Sequence, residues 1–544
     1  MCGIVASCRC PSLSQHLQHG LDAIKHRGPD GSGTWVSQDG SIGLGHCRLS
    51  INDLSPLGAQ PIHNADSIHA VVNGEIYDFD RLRDICASEH GYRFTGHSDS
   101  ELVVALYQIH GAPGLFEHLR GEFAFVLVDQ RPGSQRVIAV RDRFGIKPLV
   151  WTTVGDRVVL AAEAKALKPL GWQPEWDVQS ITDSGWLVDE RTVFKNVQSV
   201  KPGHWMEITD GRGIQMHQYW DADFPDKTIV ETRTIEEMVQ GVRERLINAV
   251  RLRMRADVPI GVYLSGGIDS SAIAGIVTHL ARTENVKIGS DKATQVACFS
   301  VQFPEASGYD ESDIADRTAN WLGIEIHRHN ADEQRLADDF VDAAYHNEQH
   351  HMDLNSVAKF ALSSLPQQQG LKVVLTGEGS DEHFGGYAFL THQYLYEPDL
   401  AMPNILADDT KLRGDRAEMS HSIEARTPFL DHSLTEYVNS LPPSTKLSAP
   451  RRAIVEKWIL REAVRPFVTD EVYRRRKRLL TREAVEELGF VDYAVVEAAL
   501  ESAFGETPDQ VAFRTLNYTG GWVAIGQRLG VKKATVEESN WSWV

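Results

Sequence analysis

The chain has 544 residues, 42% hydrophobic and 24% charged, a balance that suits a globular protein and excludes disordered and fibrous classes. Its formal net charge of −20 excludes nucleic acid as the main partner, because a phosphate backbone is repelled wherever Lys and Arg are not clustered. No run of about 18 apolar residues occurs and the six cysteines lack the paired spacing of a zinc or disulfide framework, so a cytoplasmic protein with no membrane span is expected.

From residue 2 to about 205, short β-branched runs bounded by Gly, Asp and Pro predict strands over 42–49, 69–72, 122–128, 137–141 and 158–161, with helices over 21–25 and 100–110. So few helices between so many strands predict packed antiparallel sheets. A polar stretch over 206–232 reads as a linker. Beyond it Thr234-Ile235-Glu236-Glu237 has the form of a capping box, and Met238, Val242, Leu246 and Val250 keep one helical face apolar. Apolar runs at 258–264, 296–303, 324–326 and 371–376 then alternate with helical segments, which predicts a parallel sheet with ligands at the carboxyl ends of its strands. The tail after about 486 carries no motif.

Met1-Cys2-Gly3-Ile4 places a thiol behind the initiator. Removal of Met1 would give Cys2 a free α-amine, whose pKa of about 7.7 to 8.0 suits it as base for its own thiol. Arg48, in Arg48-Leu49-Ser50-Ile51-Asn52, offers a planar fork for a carboxylate, while Glu75 and Asp99 offer negative charge for an ammonium. Those are the two ends of an α-amino acid. Asn73-Gly74 supplies an amide side chain and an unshielded backbone N–H, the donors a tetrahedral oxyanion requires.

A second set of residues suits a nucleotide. Ser265-Gly266-Gly267-Ile268-Asp269-Ser270-Ser271 follows one predicted strand and opens a helix, so backbone N–H groups and hydroxyls can close on phosphate while Asp269 holds a metal. Thr376-Gly377-Glu378-Gly379-Ser380-Asp381-Glu382 follows another strand and adds Asp381 as a second carboxylate. There is no G-x-x-x-x-G-K-[ST], which excludes a P-loop, and no third glycine after G-x-G, which excludes the dinucleotide fingerprint.

Met1 to Ile4, His26-Arg27-Gly28-Pro29-Asp30, Arg48 to Ile51, Asn73-Gly74-Glu75-Ile76-Tyr77 and Ser98-Asp99 resemble the class II glutamine amidotransferase pattern. The two later loops, with Ser422-Ile423-Glu424-Ala425-Arg426-Thr427-Pro428-Phe429-Leu430-Asp431, resemble the glutamine-hydrolysing asparagine synthetases. That resemblance implies an N-terminal-nucleophile αββα sandwich over 2–205, the linker 206–232, and a parallel-sheet ATP-pyrophosphatase domain, adenine nucleotide α-hydrolase-like, over 233–535. It implies that Cys2 attacks the glutamine amide, that Asn73 and Gly74 hold the oxyanion, and that Arg48, Leu49, Ser50, Ile51, Asn52, Glu75 and Asp99 hold glutamine. Ser265, Gly266, Gly267, Asp269, Ser270, Val301, Thr376 and Gly377 would bind ATP, Asp269 and Asp381 a magnesium ion; Glu378 would face the adenylate and the incoming ammonia, and Lys477 would neutralise pyrophosphate. The residues Asp142-Arg143-Phe144-Gly145-Ile146-Lys147-Pro148-Leu149 resemble the segment beside the family's ammonia route, and read equally as a plain turn.

The activity so implied makes asparagine from aspartate, glutamine and ATP, with release of AMP and pyrophosphate, in a chain that could pair as a homodimer. Two departures stand against a direct transfer. Arg478-Leu479-Leu480 lies where an aromatic residue is expected, and the region Gln349 to Ser356 has no arginine where aspartate-specific members carry Thr-Thr-Ile-Arg. Burying an unpaired carboxylate is costly, so either Arg426 or a histidine holds the α-carboxylate of aspartate, or the acceptor is a different carboxylic acid. A non-catalytic nucleotide sensor is the reading from another class.

Overall fold

A computed structural model of the chain describes residues 2–8, 14–65, 67–182, 189–209, 213–224, 231–290, 296–303, 311–349, 355–386, 413–447, 455–475, 494–495 and 497–498. The first part supplies β1 (Cys2–Cys8), β2 (Gly31–Val36), β3 (Ile42–Arg48), β4 (Ile62–His63), β5 (Ile68–Ile76), β6 (Gly121–Asp129), β7 (Arg136–Arg141), β8 (Val150–Val154), β9 (Arg157–Ala161), β10 (Gln198–Ser199), β11 (His204–Thr209) and β12 (Gly213–Gln218). They form two six-stranded antiparallel sheets, in the orders β10-β8-β9-β1-β3-β2 and β12-β11-β7-β6-β5-β4.

The period-2 alternation of a strand explains the layers. In β6, Ala124, Val126 and Val128 face the first sheet, in one core with Ile4, Val5 and Leu44. Phe123, Phe125 and Leu127 face the other way, in a second core with Phe79, Leu102 and Leu106 of the helices α2 (Phe79–Ser88) and α3 (Glu101–Gly114). Leu17 and Leu21 of the helix α1 (Ser14–Ala23) join the core of the first sheet. Helix, sheet, sheet, helix is the αββα sandwich of the N-terminal-nucleophile fold.

The expected linker is corrected over its first half. Strands β11 and β12 pair antiparallel, and β11 pairs with β7, so these strands close one edge of the second sheet. Trp205, Met206 and Ile208 are buried, whereas β12 is an edge strand bearing Gln215, His217 and Gln218, and a wet edge strand reads as polar loop in sequence. The strand expected over 69–72 runs on to Ile76, which places Asn73, Gly74 and Glu75 within β5.

The second part carries β13 (Ile260–Tyr263), β14 (Ala297–Gln302), β15 (Glu325–Asn330), β16 (Val373–Leu375) and β17 (Glu424–Arg426), all parallel, in the order β15-β14-β13-β16-β17. Helices α4 (Ile235–Arg253), α5 (Ile268–Thr283), α6 (Ser312–Leu322), α7 (Glu333–Asn347), α8 (Asn355–Gln368) and α9 (Arg413–Met419) surround it. The expected capping box is present: Glu237 N donates to the Thr234 hydroxyl, and Thr234 N donates to the Glu237 carboxylate. β14 and β16 lie on opposite sides of β13, so the winding reverses there and a crevice opens at the carboxyl ends of β13 and β16. β17 escapes a sequence reading because Glu424 and Arg426, both fully buried, pair with one another at 2.6 Å instead of presenting an apolar run.

The two parts share apolar and charged contacts. Leu49 and Ile51 join the core built by α4 and α5, and Phe144 and Ile146 pack with Leu430. Arg253 Nε donates to Glu122 Oε1 at 2.8 Å and its Nη1 to Asp431 Oδ2 at 3.0 Å, while Arg27 Nη2 donates to Asp415 Oδ2 at 2.6 Å. Asp142 accepts the N–H groups of Phe144, Ile146 and Lys147, and Lys147 Nζ reaches 3.5 Å from both Glu122 Oε2 and Ala425 O, so the 142–149 segment is both a turn and a contact between the parts. Among the described residues no helix is long and apolar enough to cross a membrane.

Candidate active sites

The register of β1 against β3 sets Cys2 opposite Arg48 at the end of the first sheet, next to β5 of the second. Cys2 N donates to Asn73 Oδ1 at 3.0 Å, and Cys2 Sγ lies 4.0 Å from Leu49 O. The other end of the Asn73 amide, Nδ2, is buried with no partner. A buried amide donor left open costs on the order of 1–3 kcal/mol, and here it stands beside the thiol that would raise an oxyanion. Gly74 has φ +134°, and a Cβ there would lie 1.9 Å from Glu122 O, so only glycine keeps β5 close to β6 at this point. Burial pushes the Cys2 thiol above its usual range, with the positive chain start, the Leu49 contact and Arg48 acting against it.

Next to Cys2 lie groups of opposite character. Arg48 donates to the carbonyls of Asp53 and, at 3.0 Å, Ser55, which fixes its half-exposed guanidinium at the lip of the site. Asn52 Nδ2 donates to Glu75 Oε2 at 2.5 Å and to Asp99 Oδ1 at 3.4 Å, and Asp99 Oδ2 accepts from Ile76 N at 2.7 Å. Burial and Asp99 push Glu75 well above the usual carboxylate range, and burial pushes Asp99 up as well. Arg426 approaches Glu75 Oε1 to 3.2 Å, but its guanidinium is already shared with Glu424. Two buried carboxylates thus divide less than one positive charge, and an ammonium is the group that would complete them. A cleft of about 240 Å³ lined by Glu75, Tyr77, Asp80, Arg251 and Arg255 opens beside them.

The second site lies at the switch point of the parallel sheet. Ser265 and Ser270 hydroxyls are 2.9 Å apart, Gly267 N donates to Ser265 Oγ at 3.2 Å, and the loop opens α5. A Cβ on Gly377 would meet Asp269 Cβ and Ser270 N, both at 2.9 Å, so the loops after β13 and β16 touch through this glycine. Ser380 Oγ donates to Asp269 Oδ1 at 2.7 Å. Lys457 Nζ lies 2.6 Å from Asp269 Oδ2 and 2.7 Å from Asp381 Oδ1, and these two carboxylates outweigh burial to push Lys457 up to about 12. Two carboxylates that converge on one cation-sized point, with hydroxyls around them, are an all-oxygen donor set of the kind magnesium takes. Glu378 is ion-paired with Lys359 of α8, and Thr376 N donates to Arg426 O at 3.0 Å. Val301 lies near the carboxyl end of β14, with its side chain packed against the cluster of Tyr263, Phe299 and Leu362.

The structure therefore brings Cys2, Arg48, Asn52, Asn73, Gly74, Glu75 and Asp99 together, and separately Ser265, Gly266, Gly267, Asp269, Ser270, Thr376, Gly377 and Asp381. The Ser50 N–H is engaged by Asp30 Oδ2 at 2.7 Å. Leu49 and Ile51 are core residues with side chains turned to the second part. Lys477, His350 and His351 lie outside the described residues. Arg426 is corrected: it is fully buried, hydrogen-bonded to Glu424 and to the carbonyls of Arg253 and Arg255, and its Nη2 lies 3.2 Å from Glu75, so it is engaged on the glutamine side rather than at an acceptor. Sequence reasoning missed Arg475, whose Nη1 donates to Gly266 O at 2.8 Å, and Lys359; the first was hidden in a basic run and the second in an unremarked helix.

An amidotransferase with a second, nucleotide-binding domain is the class these two sites define. A family model described as glutamine amidotransferase domain matches residues 1–220, and one described as asparagine synthase matches 241–405 and 392–488. The chain is 38% identical to amidase chry2 of Gibberella zeae, over 98% of this chain and 100% of that protein, and 38% identical to amidase chyE of Penicillium rubens, over 97% and 96%. It is 31% identical to the glutamine-hydrolysing asparagine synthetase 1 of Saccharomyces cerevisiae, over 88% of this chain and 84% of that one. The chain belongs to the glutamine-hydrolysing asparagine synthetase family, as an ATP-dependent ligase that takes its nitrogen from glutamine.

Proposed function

We propose that this chain cuts ammonia from glutamine at Cys2 and transfers it to an ATP-activated carboxylic acid other than aspartate. The observation that carries the choice of acceptor is the place of Arg426. Aspartate would bring a second carboxylate that needs a cation, and Arg426 is held by Glu424 and Glu75 on the glutamine side. Lys359 is engaged by Glu378, while burial lowers His346 and His421 to about 4, so both are neutral near pH 7. The whole-chain likeness to two amidases agrees with an acceptor outside asparagine synthesis.

In this reading Cys2, freed of Met1, attacks the glutamine amide carbon with its own α-amine as base. Asn73 Oδ1 holds that amine, and Asn73 Nδ2 with Gly74 N–H receives the oxyanion. Arg48 takes the glutamine α-carboxylate, and Glu75 with Asp99 takes its ammonium. At the second site the acid's carboxylate attacks the α-phosphate of ATP, which expels pyrophosphate and leaves an acyl-adenylate; ammonia then displaces AMP. Asp269 and Asp381 would hold a magnesium ion, which when bound supplies positive charge to the phosphates. Lys457 anchors both carboxylates, and the Ser265–Ser270 loop cradles pyrophosphate by its N–H groups and hydroxyls. Free ammonia is mostly protonated at neutral pH, so a passage through the shared contact is the reason for joining the two parts.

Asparagine synthesis is the second reading, favoured by the 31% identity to the yeast enzyme, and it requires a cation other than Arg426, Lys359, His346 or His421 for the second carboxylate. Pyrophosphate release from ATP, assayed with aspartate and with a panel of other carboxylic acids, separates the two. Release that depends on aspartate alone would remove the first reading.

A further inference from the structure

At the carboxyl end of the parallel sheet, one step from Glu378, stands a buried acid that neither site uses. Glu418, in the last turn of α9, is fully buried, and neither carboxylate oxygen has a hydrogen-bond partner. Tyr263, the last residue of β13, is also buried with an unpartnered hydroxyl. The strand it ends leads directly into Ser265, and its side chain packs with Leu362 of α8, the helix that carries Lys359. Helix α9 lies against α8, where Ser363 Oγ reaches 3.4 Å from Ala417 O. Four polar groups from four elements thus lie close to one another: Tyr263, Lys359, Glu378 and Glu418.

Buried polar groups are nearly always bonded, so two on adjoining elements left open call for a ligand. Resting on the ligase reading above, we propose that Glu418 and Tyr263 select the acceptor, a monocarboxylic acid whose remainder is uncharged and presents a carbonyl or amide oxygen to their O–H groups. Lys359 and Glu378 cancel one another. Glu418 is fully buried with no hydrogen-bond partner, and burial and Glu378 push it well above the usual carboxylate range, with Lys359 opposing, which favours its protonated, donor form. Asp415, one turn earlier on α9, is occupied elsewhere by Arg27 at 2.6 Å. An amino-acid acceptor would present an ammonium and require Glu418 to ionise against both burial and Glu378. An uncharged oxygen accepts the proton bond as it stands.

The test uses the full chain with ATP and magnesium and reads acid-dependent pyrophosphate release for three sets of acids: keto and amido monocarboxylic acids, plain alkyl and aryl acids, and α-amino acids including aspartate. Keto or amido acids are expected to give kcat/KM about tenfold above plain acids, the worth of one or two neutral hydrogen bonds. Glu418→Gln, which keeps a donor, retains release within about threefold, whereas Glu418→Ala raises the acceptor KM about tenfold and leaves the KM for ATP and glutamine hydrolysis unchanged. Tyr263→Phe gives a smaller rise in the same constant. An unchanged acceptor KM in Glu418→Ala overturns the assignment, as does a preference for amino acids that Glu418→Gln abolishes, which would make Glu418 a counter-ion. No release with any acid, while glutamine is still hydrolysed, sinks the ligase reading instead.

Discussion

Replacing Asn73 by alanine removes both ends of an amide that is 0% exposed, with Oδ1 3.0 Å from Cys2 N and Nδ2 open. Loss of one oxyanion donor costs about 2.7–4 kcal/mol, or about 10²–10³ in kcat, and loss of the acceptor for the Cys2 amine adds about 1 kcal/mol. Glutamine hydrolysis in Asn73→Ala is therefore expected to fall by about 10³, with synthesis from added ammonium salt within about twofold of the parent. Asn73→Asp divides the two effects. It keeps an acceptor for the amine but sets a negative charge where the oxyanion develops, so it should be no more active than the alanine variant. Glutamate release at saturating glutamine is the assay, with a melting curve to show that both variants fold. Hydrolysis within about fivefold of the parent in either variant would refute the role of Nδ2.

Cys2→Ala should abolish glutamine hydrolysis and leave ammonium-dependent synthesis; hydrolysis at the parent rate would misplace the nucleophile. Asp381→Asn, which weakens both the Lys457 pair and the proposed metal position, should remove pyrophosphate release and spare hydrolysis, and it should also weaken magnesium-dependent protection of the second domain from heat by ATP. Burial and Asp99 keep Glu75 protonated to higher pH than an ordinary carboxyl, and the protonated form cannot pair with an ammonium, so the glutamine KM should rise as pH falls through that raised value. A glutamine KM that does not rise on acidification would contradict the placement of the substrate amine. Arg426→Met strands Glu424 and Glu75 in the interior and should lower stability by about 3–5 kcal/mol, seen as a drop in melting temperature, whereas an anion contact at the acceptor would show in the acceptor KM alone.

The grouping of residues at both sites is legible in the sequence because each depends on short contiguous strings: a cysteine behind the initiator, Asn73-Gly74, and two small-residue loops at strand ends. What escaped depends on long-range pairing. Nothing in Arg426 itself tells that Glu75, 351 positions earlier by residue number, lies 3.2 Å away and that Glu424 has taken the same guanidinium. Lys457 looks like any helix-start lysine until the fold sets it between Asp269 and Asp381 with φ +57°. The strand pair β11–β12 was hidden for a different reason: an edge strand satisfies water on one face, so its polar side chains mimic a loop. Glu418 could not be singled out at all, since an acid on a short helix is ordinary until burial removes its partners.

In the proposed reaction, nitrogen from the glutamine side chain ends in the carboxamide of an acid other than aspartate, at the expense of ATP cleaved to AMP and pyrophosphate. Mass spectrometry of the product formed from glutamine labelled with heavy nitrogen at its amide, ATP, magnesium and a mixed panel of carboxylic acids tests it directly. The account predicts a labelled carboxamide of an uncharged monocarboxylic acid, with one AMP and one pyrophosphate for each amide formed. Labelled asparagine as the dominant product, or ADP and phosphate in place of AMP and pyrophosphate, would contradict it.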